Sequence, residues 1–173
     1  KTIGSFRRNV LFWLKIMLRS RGYKVMDHRA DNLVEISRNG VTNYFYIFGG
    51  KDERSQDLIQ GITLAGLFCD EVALMPESFV NQATGRCSVD GSKYWFNCNP
   101  DGPYHWFKTN WIDRSVGYLG KAEVERQMKE AKEKKQDISF KKLLYVHFTM
   151  DDNLSLSEEI KARYRDSYSG VFY

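Results

Sequence analysis

The 173-residue chain has only three cysteines, at positions 69, 87 and 98. An odd number without paired spacing excludes a disulfide scaffold and fits a reducing interior. No apolar run approaches the roughly 20 residues that span a bilayer, so no membrane contact is expected, and no signal peptide is recognisable. His28, His105 and His147 lie too far apart in sequence for metal-ligand spacing, so no structural zinc is expected. Internal repeats are lacking. So is a Gly-x-x-x-x-Gly-Lys-[Ser/Thr] phosphate loop; Gly49-Gly50-Lys51-Asp52 is too short to serve as one. Acid is scarce at the front: residues 1–29 hold eight Lys/Arg against Asp27 alone, a local +7, while the remainder sums to −3. That basic segment suits either a polyanion or a solvated helix face, and the second reading is preferred. The chain starts on Lys and ends on Ser-Gly-Val-Phe-Tyr, so both ends read as cut from something longer.

What is present fills a core: 42% of residues are hydrophobic and 14% aromatic, which excludes wholesale disorder. Ile3, Phe6, Val10, Trp13, Leu14 and Met17 recur at helical spacing, predicting an amphipathic helix over 3–20 that Gly22 ends. Leu33–Ser37 and Asn43–Phe48 read as strands joined by the hairpin signal Arg38-Asn39-Gly40, with Tyr23–Asp27 as a further strand. Leu64–Cys69 is almost wholly apolar, predicting a strand buried on both faces, as in a parallel sheet. Pro76 opens a helix to Arg86, Lys93–Asn97 is a second buried strand, and Tyr104–Ile112 a short aromatic helix. Residues 120–142 carry eight Lys/Arg and five acids, with Glu125/Lys129 and Lys129/Glu133 four apart; this is a solvated helix or insertion. Leu143–Phe148 reads as the last strand, and Ser155, Ser157 and Glu158-Glu159 open a final helix. Strand–helix alternation from residue 64 onward gives an α/β class with parallel strands.

The chemistry concentrates at two strand ends. Asp70-Glu71 closes the first apolar run, at the carboxyl edge where open α/β sheets bind ligands. In nucleotide hydrolases such a pair divides the work: the Asp helps hold Mg²⁺ on the phosphates, and the Glu orients or deprotonates the attacking water. Surface acids capping a strand would look the same. The next run ends in Asn97-Cys98-Asn99-Pro100. As a neighbouring parallel strand it would set Asn97 and Asn99 beside Asp70 and Glu71, where an amide can bond a phosphate oxygen or the water, while an Asn-rich turn before Pro would look the same.

These segments, in this order, resemble the large subunit of phage terminases, the DNA-packaging ATPase. Lys1-Thr2 and the helix after it look like the stretch following that family's second strand. Gln60-Gly61 with Leu64–Glu71 resembles its Gly-plus-Walker-B segment, and Asn97–Pro100 with Tyr104-His105-Trp106-Phe107 its coupling motif and the signature behind it. Asp151-Asp152-Asn153 with Ser157–Ile160 resembles the region closing the ATPase domain. The resemblance implies a P-loop NTPase-like (ASCE type) α/β fold, largely parallel and flanked by helices, incomplete on its N-terminal side. Residues 1–173 would be the later part of the ATPase domain, with 115–142 a charged insertion and the nuclease domain lying beyond. It implies that Asp70 assists Mg²⁺ binding, that Glu71 is the catalytic carboxylate, and that Asn99 with Asn97 couples hydrolysis to DNA movement.

The family's frequent Arg before the Gly is Gln60 here, so phosphate contacts fall to Gln60, Arg54 or Arg86. ATP and Mg²⁺ are implied for the full-length protein, with none expected on the chain alone, which is predicted inactive for want of the phosphate loop. Implied partners are double-stranded DNA, a portal protein, a small terminase subunit and further copies in a ring on the portal, all in the host cytoplasm. A non-catalytic nucleic-acid-binding domain and another P-loop motor such as a helicase are the rivals. Asp151-Asp152 reads as a cap or loop and not as a nuclease site. His105, Cys69, Cys98 and the aromatic set Trp95, Trp106, Trp111, Tyr164, Tyr168 and Phe172 read as packing residues.

Overall fold

The computed structural model describes residues 2–50, 57, 59–99, 101–115, 126, 129–130, 133 and 141–167. They form two compact units, Lys1–Thr109 and Asn110–Tyr173.

The first unit opens with one long helical segment. The Thr2 hydroxyl accepts the Ser5 N–H at 3.3 Å and caps α1 (Ile3–Phe6). A π-turn over Arg7–Leu11 follows, in which the Phe12 N–H donates to the Arg7 carbonyl, and α2 (Phe12–Ser20) completes the segment. Gly22 ends it at φ 79°, with its own N–H donating to Arg19 and that of Tyr23 to Leu18, a Schellman arrangement. The segment has the expected extent, but its buried stripe differs from the expected one. Trp13 is 65% and Met17 43% exposed, whereas Leu11 is buried and Leu14 and Leu18 pack with Ile3 and Phe6. The reason is the π-turn: its extra residue takes up about 100° of rotation, so the inward face steps from Phe6 to Leu11.

Three antiparallel strands lie under that stripe: β1 (Lys24–His28), β2 (Leu33–Arg38) and β3 (Val41–Tyr46), in the order β1-β2-β3. Arg38 pairs with Val41, so Asn39-Gly40 is a two-residue loop. Their φ values of 52° and 78° are those a type I′ turn demands. Val34 and Ile36 alternate inward from β2 and join Leu11, Val25 and Ile47 in one core.

The second sheet has two parallel strands, β4 (Gly66–Cys69) and β5 (Lys93–Phe96), in register Cys69↔Phe96. Helix α3 (Glu77–Gly85) links them and buries Phe79, Val80 and Ala83. Gly50 packs on that helix so closely that a Cβ would come within 2.8 Å of the Phe79 ring, a packing reason for glycine in a segment too short to be a phosphate loop. The expectation of burial on both faces does not hold. Phe68 is 46% and Trp95 56% exposed, because among the described residues no further strand flanks the pair and neither sheet face is fully covered. Helix α4 (Trp106–Asn110) sets Phe107 edge-on against Phe96, ring centres 5.4 Å apart.

In the second unit, Leu143–Phe148 is not the expected strand. These residues have no ladder partner among the described residues, and Val146 and Phe148 are exposed; extended apolar chain becomes a strand only where a neighbour takes its backbone groups. The sole bridge described nearby is Ser115↔Lys141, where Lys141 also sits 3.8 Å over the Trp111 ring. Most of the charged segment lies outside the described residues; within it, Arg126 pairs with Glu130 at 3.3 Å. Asp152 accepts from the Thr149 N–H and hydroxyl in a capping box, and those bonds hold its carboxyl below the usual range. The final helix, Glu158–Ser167, is capped by Ser157, which accepts the Ile160 N–H at 3.3 Å. Its buried Lys161 reaches Glu158 at 2.9 Å and the Asp151 carbonyl at 3.3 Å, and Arg165 pairs with Asp151.

Candidate functional site

Because β4 and β5 run parallel with Cys69 opposite Phe96, the next residue of each strand, Asp70 and Asn97, emerges at the same carboxyl edge. Asp70 is buried, only 7% exposed. The Asn97 Nδ2 donates to Asp70 Oδ1 at 3.1 Å, and the Asn97 Oδ1 accepts the Glu71 N–H at 2.6 Å. The backbone repeats the connection, with Asn97 N–H donating to the Cys69 carbonyl at 3.2 Å and Val72 N–H to the Asn97 carbonyl at 2.9 Å.

Glu71 itself is in the left-handed region, φ 58° and ψ 56°, which costs a residue with a Cβ about 1 kcal/mol. No sequence signal marks this, since nothing about Asp-Glu requires a positive φ. The turn that follows, Val72–Leu74, buries Val72 completely and anchors the bend.

Asn99 is exposed, two residues beyond Asn97. Gln60 is exposed and donates to Asp57 at 3.1 Å. Arg86 is half-buried, and its carbonyl accepts the Leu64 N–H at 2.9 Å, which fixes the approach to β4. Arg54 lies outside the described residues.

Two residues do more than their sequence context revealed. His105 Nδ1 accepts the Phe107 N–H at 3.2 Å and so caps α4, a role that a histidine two residues ahead of a helical N–H can fill. Asp27 gathers the front of the molecule: Arg7 lies at 2.7 Å and Lys15 at 2.8 Å, while Arg19 donates to the Val25 carbonyl at 3.1 Å. The expected solvated basic face is therefore partly committed inward. Burial raises the Asp27 carboxyl, but hydrogen bonds from Lys15 and Arg7 outweigh it and leave the pKa below the ordinary value. Burial pushes the Cys69 thiol up to about 12 and raises Cys87 and Cys98 as well, which disfavours the thiolate form.

Residues 15–171 match the family model described as terminase large subunit, T4likevirus-type, N-terminal. The chain belongs to the terminase large subunit family. The large terminase of a thermophilic bacteriophage is 62% identical, with TM-score 0.78 over all of this chain. The same phage terminase in complex with ADP is 60% identical at TM-score 0.78, and in complex with ATP-gamma-S 58% identical at 0.75. This terminase chain spans 37% of the length of the first of these structures, little more than a third. Comparison with curated proteins found no match. The α/β fold class with its small parallel sheet is thus that of a terminase ATPase domain, of the P-loop NTPase fold.

Among the described residues no three His, Cys, Asp or Glu side chains gather into a cage. One buried carboxylate at a strand end is the donor set expected where Mg²⁺ is held jointly by a protein oxygen, phosphates and waters, so Asp70 fits that ion in that limited sense. No helix of the described residues is long and apolar enough to cross a membrane.

Proposed function

We propose that this chain is the later part of the ATPase domain of a phage terminase large subunit, the motor that packages double-stranded DNA into procapsids. The observation that carries the reading is the meeting of Asp70, Glu71 and Asn97 at the carboxyl edge of two parallel strands. Asp70 is the residue that would hold Mg²⁺, and the ion supplies charge neutralisation on the phosphates when bound. Glu71 orients the water that attacks the γ-phosphorus and accepts its proton as the bond from that phosphorus to ADP breaks. Asn99, on the exposed stretch after β5, passes the change at the site to the DNA-moving parts. Gln60, Arg54 and Arg86 are the candidates for phosphate contacts from this chain. The domain acts on DNA with a portal protein and a small terminase subunit, in a ring of copies on the portal, in the host cytoplasm.

The nucleic-acid-binding alternative draws less support, because Arg7 and Lys15 of the basic face are paired with Asp27. A full-length large subunit carrying Glu71→Gln tests the proposal. ATP turnover is expected to fall by about 10² to 10⁴-fold with ATP binding retained. Turnover at the wild-type rate would remove the basis for it. The 173-residue chain alone, without a phosphate loop, is expected to show no turnover.

A further inference from the structure

We infer that Asn97 is a positioning residue for the Asp70-Glu71 pair and not a contact to the nucleotide; the inference rests on the function proposed above and deepens it. On sequence grounds Asn97 is a candidate for sensing phosphate. Its amide is already engaged on both sides, donating to Asp70 Oδ1 at 3.1 Å and accepting the Glu71 N–H at 2.6 Å. The orientation of the amide is fixed by chemistry, because turning it over would set its oxygen against a carboxylate and its NH₂ against an N–H.

With its backbone bonds to Cys69 and Val72, Asn97 touches four consecutive residues of the neighbouring strand end. Those bonds bracket Glu71, whose φ of 58° is unfavourable without outside support. The direction in which the Glu71 carboxylate leaves the backbone is therefore set from β5. Only a side chain with a donor and an acceptor on one short stem can do this. Aspartate keeps the acceptor for the Glu71 N–H but faces Asp70 with a second carboxylate, and alanine removes both bonds.

The experiment uses the full-length large subunit with Asn97→Ala and Asn97→Asp. Amide exchange at Glu71 is expected to accelerate in Asn97→Ala, while Val72, bonded to the Asn97 backbone carbonyl, keeps its protection. The rate constant for ATP turnover is expected to drop about 100-fold, the scale of a reacting group displaced by an ångström. Affinities for ATP-gamma-S and ADP are expected to stay within about twofold of wild type. Asn97→Asp, nearly the same size, is expected to turn over more slowly than Asn97→Ala; packing alone predicts the opposite order. Unchanged exchange at Glu71, an aspartate milder than alanine, or selective loss of ATP-gamma-S affinity would overturn the inference. Glu71→Gln in the same series judges the function separately, since the exchange result at Glu71 stands whether or not that carboxylate is catalytic.

Discussion

Arg7 and Asp27 meet at 2.7 Å, although the first sits in a helical π-turn and the second on a β-strand. Lys15 reaches the other oxygen of the same carboxylate at 2.8 Å. Eight residues of regular α-helix would leave Arg7 and Lys15 about 80° apart around the axis; removing one residue's rotation at the π-turn brings them within about 20°. The two cations converge because the helix is irregular.

Replacing Asp27 with Asn leaves two cations whose side chains are 16% and 18% exposed without their counter-charge. We expect a loss of about 1–3 kcal/mol at neutral pH, measured by equilibrium urea unfolding. The sign with pH follows from the depressed carboxyl. Its contribution is full above the ordinary carboxylate value, declines as pH falls from there through the lower folded value, and is gone beneath it. The stability gap between wild type and Asp27→Asn should therefore close below about pH 4. A gap that persists unchanged in strong acid would refute the assignment.

The π-turn predicts which deletions the helix tolerates. Removing the exposed Asn9 converts Arg7–Leu11 to regular α-helix while keeping Phe6 and Leu11 on one face, so stability should change by less than about 1 kcal/mol. Removing the exposed Ile16 turns Leu18 out of the core stripe and should cost about 2 kcal/mol. Thermal unfolding of the two deletants compares them directly; equal losses would rule out the rotational account.

The positive φ of Glu71 makes a third prediction. Glu71→Gly removes the steric cost of the left-handed region, so it should unfold within about 0.5 kcal/mol of wild type. Glu71→Val adds a branched Cβ there and should lose about 1–2 kcal/mol. Calorimetric melting separates them, and a valine variant as stable as the glycine one would show that the bend relaxes freely.

What could be read in advance follows from the range of the interactions. The β2–β3 hairpin was legible because Asn39-Gly40 satisfies its turn locally. Glycine at 22 and serine at 157 marked helix ends for the same reason. The two apolar runs ending at Asp70-Glu71 and at Asn97 announced that these strand ends lie side by side, but not that the Asn97 amide would bind Asp70 and the Glu71 N–H themselves, since those bonds depend on the bend at Glu71. The inward face of the first helix was misread because a π-turn leaves no mark on composition, only on phase. Leu143–Phe148 has the residues of a strand, yet pairing is a property of neighbours, and none is described beside it.

The Ser115↔Lys141 bridge carries a practical consequence. The backbone departs at Ser115 and is back beside it at Lys141, where the Arg114 carbonyl accepts the Lys141 N–H at 2.9 Å. Ser115 and Lys141 are 26 positions apart in sequence, and lengthening the chain between two ends joined in this way adds closure entropy only logarithmically. A fluorophore peptide or an affinity handle inserted between those two joined ends is therefore expected to cost little stability, in the compact unit that does not hold Asp70 and Glu71.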